Sequence, residues 1–405
     1  MTETFAAVFD PADDAFIHDP FPTWARLRAA GRVHASPLGL HVVSRYDDVA
    51  ALLRDPRLLK GPVTATIARR YGVELQSTSF SLIDQDPPDH TRLRALLARP
   101  FSSEATALHR GLIEATVARV CATLDDDAGF DVMAGLAYPL QTAVIGTVLG
   151  VPPADRAQLQ EWGLDIALGI EVLVRPLEWE AARRSLRARA AAADYFADLV
   201  NTRRRRPADD VVSLLLSAEV AGDRLTREEL VTSCVFLLVA GLETTVNLIG
   251  NGVMALLQHP AQLALLQARP ELAASAVDEL LRFDPPAHAT VRVASADIAI
   301  DDVVVAAGDL VLLALGSANR DEQRFAGADV VDVTRCNNRH LAFGAGIHAC
   351  LGAPLARLVG ELTFAALAPR LGGLRVVGIP RRRHSVLVRG FLELRVQSLT
   401  STNER

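Results

Sequence analysis

The chain has 405 residues, half of them hydrophobic, with a formal net charge of −6 and a pI near 6.0. That is enough apolar material for a large core, and arginines scattered along a slightly acidic chain leave no electrostatic footprint for nucleic acid. The first 14 residues carry Glu3, Asp10, Asp13 and Asp14 without a basic region and apolar run, so no signal peptide is read there, and the longest uninterrupted apolar stretch, 235–242, falls short of the ~20 residues of a membrane span. A cytoplasmic protein with neither a membrane nor a nucleic acid as partner is expected.

In chain order, residues 33–44 mix β-branched and polar side chains and read as strand. Apolar residues three or four apart mark helices over 109–124, 136–149 and 183–204. Thr226 and Glu229 have the spacing of a capping box, and the apolar pattern that follows continues to Gln258, where His259-Pro260 stops it. At ~1.5 Å per residue this helix is about 50 Å long, and only a place at the centre of the molecule can bury it. Another helix covers 271–283, starting at Pro270. Strand-like pieces fill 291–313 around a turn at Ala306-Ala307-Gly308-Asp309, a periodic helix runs from Pro354 to about Ala368, and strand-like material returns at 374–396. With no repeat, low-complexity tract or linker, these elements imply one domain over 1–405, mainly α with small β-sheets (α+β).

The long helix changes character at Ala240-Gly241-Leu242-Glu243-Thr244-Thr245. Glycine costs ~1 kcal/mol in a helix interior, and a carboxylate is expensive in a core. Ala240 and Gly241 precede Thr244 by four and three residues, so a small-residue gap and a hydroxyl share one face. Either a small ligand enters against the backbone beside Thr244, or a packing glycine sits beside a back-bonded threonine.

The four cysteines form no CxxC pair, which argues against a zinc site or a disulfide framework. Cys121 and Cys234 lie on apolar helix faces and read as small hydrophobes, and Cys336 reads as a structural residue. Cys350 differs. It lies in Phe343-Gly344-Ala345-Gly346-Ile347-His348-Ala349-Cys350-Leu351-Gly352, ahead of Pro354, a residue suited to a helix's first turn. At a helix N-terminus the orphan amides and the dipole favour thiolate, the form that binds iron.

This decapeptide resembles the cysteine-loop signature of the cytochrome P-450 family, F-x-x-G-x-x-x-C-x-G, at every fixed position. AGLETT resembles the family's oxygen-activation motif, Glu279-Leu280-Leu281-Arg282 its ExxR motif, and Asp86-Pro87-Pro88-Asp89-His90-Thr91-Arg92-Leu93-Arg94 the start of its C helix. Asn319-Arg320-Asp321 and Asp332-Val333-Thr334-Arg335 also look like bacterial members, and the resemblance spans roughly 19–396. It implies a soluble bacterial heme-thiolate monooxygenase whose long central helix lies over heme b. By the same resemblance, Cys350 is the axial ligand of the iron. Ala240, Gly241, Phe343 and Gly344 lie against the cofactor, and His90, Arg94, Arg292 and His348 hold its propionates. Thr244 and Glu243 form the catalytic pair that handles oxygen and its protons, and Glu279, Arg282 and Arg335 form a buried structural network.

The resemblance also implies substrate contacts from the loop at 61–83, from 162–176, from the central helix face, from 287–291 and from a turn near 388–391. The residues named by it are Phe80, Phe236, Val239, His288, Val291, Val388 and Phe391. Their mostly apolar character suits a medium-sized hydrophobic molecule of secondary metabolism, oxidised, and most simply hydroxylated, with O2 as co-substrate. No second domain is read for flavin or an iron–sulfur cluster, so electrons from NAD(P)H are expected through separate proteins, a ferredoxin and its reductase. Arg99, Arg110, Arg339 and Arg357 would offer such an acidic partner a basic patch, and the enzyme itself is expected to be a monomer. The competing reading, a heme-binding sensor or carrier without turnover, keeps Cys350 but has no use for the Glu243 and Thr244 pair.

Overall fold

The computed structural model describes residues 9–10, 13–36, 39–71, 81–174 and 178–400. The long helix spans Arg227–Gln258. Its first turn is closed in both directions, since the Glu229 amide donates to Thr226 Oγ1 at 3.2 Å and the Thr226 amide donates to Glu229 Oε2 at 2.8 Å. His259 leaves helical geometry ahead of Pro260 and ends it. Among the described residues this is the one helix long and apolar enough to cross a membrane, although its longest uninterrupted apolar run is short. Glu243 breaks that run without lowering the average much, and 78% of the most apolar window is buried inside the protein. The helices Tyr138–Val148, Arg156–Leu168, Trp179–Arg205 and Ala353–Leu371 pack around it.

Periodicity located several of the other helices and missed some of their ends, and it marked none at Phe21–Ala30, Arg156–Leu168 or Pro260–Ala268. Arg110–Cys121, Tyr138–Val148 and Ala273–Phe283 fall inside the expected ranges. Val132–Ala137 leads into the second as a π-helix, and Pro270–Leu272 leads into the third as a 3₁₀ turn. Trp179–Arg205 begins before residue 183, in a stretch where glutamate and alanine favour helix without marking a buried face. The expected loop at 61–83 contains a helix, Pro62–Tyr71, opened by the proline at its first position.

Residues 33–44 divide into Val33–Ala35 and Leu40–Val43, an antiparallel pair. Leu40–Val43 then runs parallel to Leu310–Leu313, with Leu40 opposite Leu310. Leu310–Leu313 pairs antiparallel with Thr290–Ala294, and Leu58–Leu59 closes the edge. One face of this five-stranded sheet buries Val42, Val291 and Leu312 with Trp24 and Phe16, and the other buries Val43, Val311 and Leu313 with Tyr46 and Val49. Near the C-terminus Arg381–Arg382 pairs with Phe391–Glu393, and Arg395–Ser398 lies between Phe130–Asp131 and Leu374–Val376. The turn inside the first of these pairs is tied to the helical layer. The amides of Val386 and Leu387 donate to the buried Glu171 carboxylate at 3.2 and 3.3 Å, and the Ser385 hydroxyl donates to it as well.

Candidate functional site

The cysteine loop is held open by backbone that only glycine takes readily. Gly344 and Gly346 have φ of 66° and 72°, and a Cβ on Gly346 would stand 2.6 Å from the Leu53 carbonyl oxygen. The Cys350 amide donates to the Phe343 carbonyl at 2.8 Å, and two residues later Gly352 caps the helix Ala353–Leu371. The Cys350 sulfur faces the backbone N–H groups of Gly352 and Ala353. Burial pushes its thiol up from the ordinary value, while those two amides and the charges of Arg94 and Arg357 pull it back toward thiolate. Phe343 is half-buried in the same loop, with the Arg357 guanidinium 4.5 Å from its ring centre.

Basic groups from four segments converge beside this loop. His90 on helix Asp89–Ala98 and His348 in the cysteine loop have ring centres 4.3 Å apart. Both His90 ring nitrogens and His348 Nε2 are buried without a hydrogen-bond partner. Burial, followed by Arg292, His90, Lys60 and Arg94, pushes His348 down to about 3. Arg292, on strand Thr290–Ala294, is only 4% exposed and donates to Thr290 Oγ1 at 2.8 Å and to the Val291 carbonyl at 3.1 Å. Asp86 is the carboxylate closest to the imidazoles, 3.9 Å from His348 Nε2, but its two oxygens are already engaged by the amides of Lys60 and Gly61 at 2.9 and 2.8 Å. The cluster therefore holds more positive charge and more unused donors than its own carboxylate can satisfy, which is what a bound dianion would correct.

On the buried central helix, Phe236, Val239, Ala240 and Thr244 keep accessible surface, and their spacing of three to four residues makes them one stripe. Ala240 is exposed at the middle of that helix, and Cys350 is exposed while closely surrounded by protein, so both face interior space rather than bulk solvent. Thr244 belongs to this stripe, and its hydroxyl donates to the Ala240 carbonyl at 2.7 Å.

Gly241 keeps some accessible surface but also packs closely against a neighbouring helix. Its bare side faces the helix Tyr138–Val148, where a Cβ would stand 2.7 Å from Ile145 Cδ1, and its carbonyl accepts from Gln141 Nε2 at 2.7 Å. The glycine admits a neighbouring helix, and Ala240 is the more exposed of the two small residues. Glu243 also points away from that stripe. It is 2% exposed and its Oε2 accepts from Arg383 Nη2 at 2.6 Å. The Tyr138 hydroxyl lies 3.5 Å from Oε1 and accepts from Arg383 at 3.2 Å. Burial raises the Glu243 carboxyl above its ordinary value and Arg383 opposes the shift.

The expected substrate positions divide. Phe236 and Val239 lie on the accessible stripe, and Val388, bridged to Ala287, is partly accessible. Val291 at 0% and Phe391 at 1% exposure are closed into the core, the latter beneath the Arg382 guanidinium at 3.7 Å. His288 is buried and its Nε2 accepts from Trp24 Nε1 at 2.9 Å, so it joins the sheet to the N-terminal helices. Ala287 and Thr290 carry the accessible surface in place of their neighbours, since the sheet is covered on both faces and the rest of strand Thr290–Ala294 is buried. Phe80 lies outside the described residues.

Glu279 and Arg282, both 0% exposed, pair through two bonds of 2.7 and 2.8 Å, and Arg335 reaches Glu279 at 3.0 Å. Arg282 also donates to the carbonyls of Asn319, Ala328 and Val330, and Glu279 accepts from the Asp332 amide and Asn338, so the network clamps the segment that leads into the cysteine loop. On the expected basic patch, Arg110 is paired with Glu361 at 2.9 Å and Arg357 with Asp278 at 2.8 Å, while Arg99 and Arg339 are exposed. Cys336 is exposed and Cys121 half-buried, so of the remaining cysteines Cys234 alone is a core residue. Sequence reasoning missed Lys60, Tyr138 and Arg383. Nothing in their local spacing links them to the motifs, and each joins the site through tertiary contact.

Comparison with known proteins covers nearly the whole chain. The family model described as Cytochrome P450 matches residues 31–368. The chain is 38% identical to a vitamin D(3) 25-hydroxylase of Pseudonocardia autotrophica, over 98% of this chain and 98% of that protein. It is 35% identical to the polyketide biosynthesis cytochrome P450 PksS of Bacillus subtilis (strain 168), over 96% and 98% of the two chains. Among solved structures, CalO2 superposes with a TM-score of 0.89 at 33% identity, covering 98% of this chain and all of that one.

Proposed function

The chain belongs to the cytochrome P450 family, and from that premise we propose that Cys350, the His90–His348 cluster and Thr244 form the working centre of a hydroxylase for a medium-sized hydrophobic molecule of secondary metabolism. As a member of that family it is a monooxygenase of P450 fold that uses heme b, O2 and electrons delivered from NAD(P)H by separate redox proteins. The finer reading is a cytoplasmic monomer acting as one domain along its length and reduced by a ferredoxin with its reductase. Arg99 and Arg339, with no carboxylate partner among the described residues, support that choice of an acidic donor. PksS acts in polyketide biosynthesis and the Pseudonocardia enzyme on vitamin D(3). Both are large, mainly apolar compounds, which fits the lining by Phe236, Val239, Ala240 and Val388.

The observation that carries this reading is the placing of one accessible cysteine at a helix entrance beside an under-neutralised basic cluster. Heme b fits both, since its iron takes a thiolate and its two propionates take cations and imidazole donors. Cys350 would ligate the iron, while His90, Arg94, Arg292 and His348 would hold the propionates. With a thiolate ligand the cofactor supplies activation of dioxygen and transfer of one oxygen atom. The protein's part is orientation and protons. Phe236 and Val239 orient an apolar substrate and exclude water from the stripe. The Thr244 hydroxyl can turn from the Ala240 carbonyl to donate into the pocket. Glu243, whose carboxyl burial raises above its ordinary value, can relay a proton one residue away, and Arg383 and Tyr138 connect that carboxyl toward the surface.

The test is a screen of polyketides, steroids and terpenoids against the purified holoprotein by absorption spectroscopy, with products of each binder analysed after turnover with a ferredoxin system. A binder that shifts the spin state and emerges hydroxylated is expected. Binding across the panel without oxygen consumption would return the sensor reading.

A further inference from the structure

Lys60 is the one member of the basic cluster that no motif marks. It follows the edge strand Leu58–Leu59 and precedes helix Pro62–Tyr71, yet it is only 8% exposed. Its backbone is fixed, since its amide and that of Gly61 donate to Asp86 Oδ1 and Oδ2 at 2.9 and 2.8 Å and its carbonyl accepts from the Val63 amide at 3.1 Å. Among the described residues no carboxylate forms an ion pair with its ammonium. Asp86 spends both oxygens on those amides, Asp84 accepts the Ser81 hydroxyl, and neither forms an ion pair with Lys60. The groups that face it are Arg292 from the sheet, His348 from the cysteine loop, and Asp84 and Asp86 from the segment before the His90 helix. A buried ammonium beside the Arg292 guanidinium, with no ion-pair partner of its own, is unfavourable until a further anion joins it.

We propose that Lys60 is a carboxylate-binding residue whose acceptor is a propionate of the heme, and that this contact anchors the start of helix Pro62–Tyr71 to the cofactor. The proposal rests on the family reading above. The same ammonium could instead take the carboxylate of an acidic substrate, since Val63 on the same turn is buried with the sheet that carries Thr290. The state of the lysine agrees with either source. Burial first, and then Arg292, push it down to about 7, so an incoming carboxylate must bring its proton back. Binding that depends on this contact weakens as pH rises above about 7, whereas a neutral side chain at position 60 gives no such slope.

The experiment uses substrate-free holoprotein and the variants Lys60→Met and Lys60→Arg. Heme loss to excess apomyoglobin is followed between pH 6 and 9, with hydrogen exchange of residues 62–71 measured on the same samples. The reduced carbon monoxide spectrum of each variant is recorded first, so that loss of the thiolate signature, a failure of the family reading, is seen separately. Lys60→Met should lose heme five- to twentyfold faster at pH 6.5 with a flattened pH profile and faster exchange in the helix, and Lys60→Arg should restore most of the retention. In a parallel arm, binding of a long-chain fatty acid and of the matching alcohol is read by spin-state shift. Unchanged heme loss with selective loss of the acid would move the contact to substrate and overturn the propionate assignment. Unchanged heme loss with both ligands bound as in the parent would overturn the role of Lys60 altogether.

Discussion

Arg383 reaches from the C-terminal hairpin to Glu243, 140 residues earlier in the chain, and closes on its carboxylate at 2.6 Å in the middle of the central helix. The pair sets the charge state of the acid next to Thr244. Removing the guanidinium in Arg383→Gln takes away the opposing influence and drives the already raised Glu243 carboxyl higher. Any limb of the pH–rate profile that follows Glu243 ionisation should move to higher pH, with a fall in turnover smaller than the ~10²-fold expected for Glu243→Gln. Steady-state turnover from pH 5 to 9 tests this, and an unmoved profile would detach Arg383 from the chemistry.

The ferrous carbon monoxide complex should show the red-shifted Soret band of a thiolate-ligated heme, since the Cys350 sulfur faces two backbone amides. Cys350→His should lose that band while absorbance of bound heme remains. A histidine-type spectrum in the unaltered protein would remove Cys350 from the iron.

Thr244→Ala deletes the hydroxyl on the accessible stripe and leaves Cys350 and the basic cluster as they are. Heme content and substrate affinity should persist. Peroxide released per NAD(P)H should rise and product fall, by a factor near or below ~10² because water can stand in for one hydroxyl. Equal coupling in the two proteins would leave Thr244 a helix-bonded residue and no more.

Glu279→Ala strands two arginines, one of them with 0% side-chain exposure, and should cost about 3–5 kcal/mol, a large share of a domain's net stability. Poor recovery of heme-loaded protein and a lowered melting temperature are expected. Thermal unfolding of whatever holoprotein is recovered provides the measurement, and a normal melting temperature would contradict the clamp.

His288 is held neutral. Burial, followed by Arg389, pushes it down to about 3 from 6.5, while the unfolded chain takes up a proton near the ordinary value. The stability this contributes is complete above about pH 6.5 and is lost as pH falls toward 3, at up to about 1.4 kcal/mol per pH unit. His288→Gln can still accept from Trp24 but does not titrate, so denaturant unfolding between pH 4 and 7 should show a shallower slope for the variant. Parallel slopes would mean that another group dominates acid unfolding.

The central helix and the cysteine loop were legible in the sequence because each is a local pattern: a capping box, a proline stop, glycines around one cysteine. Gly241 was legible as an anomaly but not in its purpose, since the residue that fills its bare side, Ile145, lies on another helix. His288 and Val291 were taken for pocket residues because the segment was right, but it belongs to a sheet covered on both faces, and only Ala287 and Thr290 keep accessible surface there. Arg383, Tyr138 and Lys60 were invisible for a different reason. A buried polar group announces itself only through what surrounds it, and their surroundings are assembled from segments far apart in the chain.

The parallel pairing of Leu40–Val43 with Leu310–Leu313 has a consequence for synthesis. At ~5–20 residues per second a ribosome needs on the order of 15 to 50 s to make the intervening 270 or so residues, and in that time the first strands lie exposed without their central partner. The cysteine loop emerges later still. On a nascent chain the prosthetic group would meet propionate-binding side chains before any axial ligand, so stable loading should be a post-translational event, and expression yields should respond to heme supply after chain release more than during elongation.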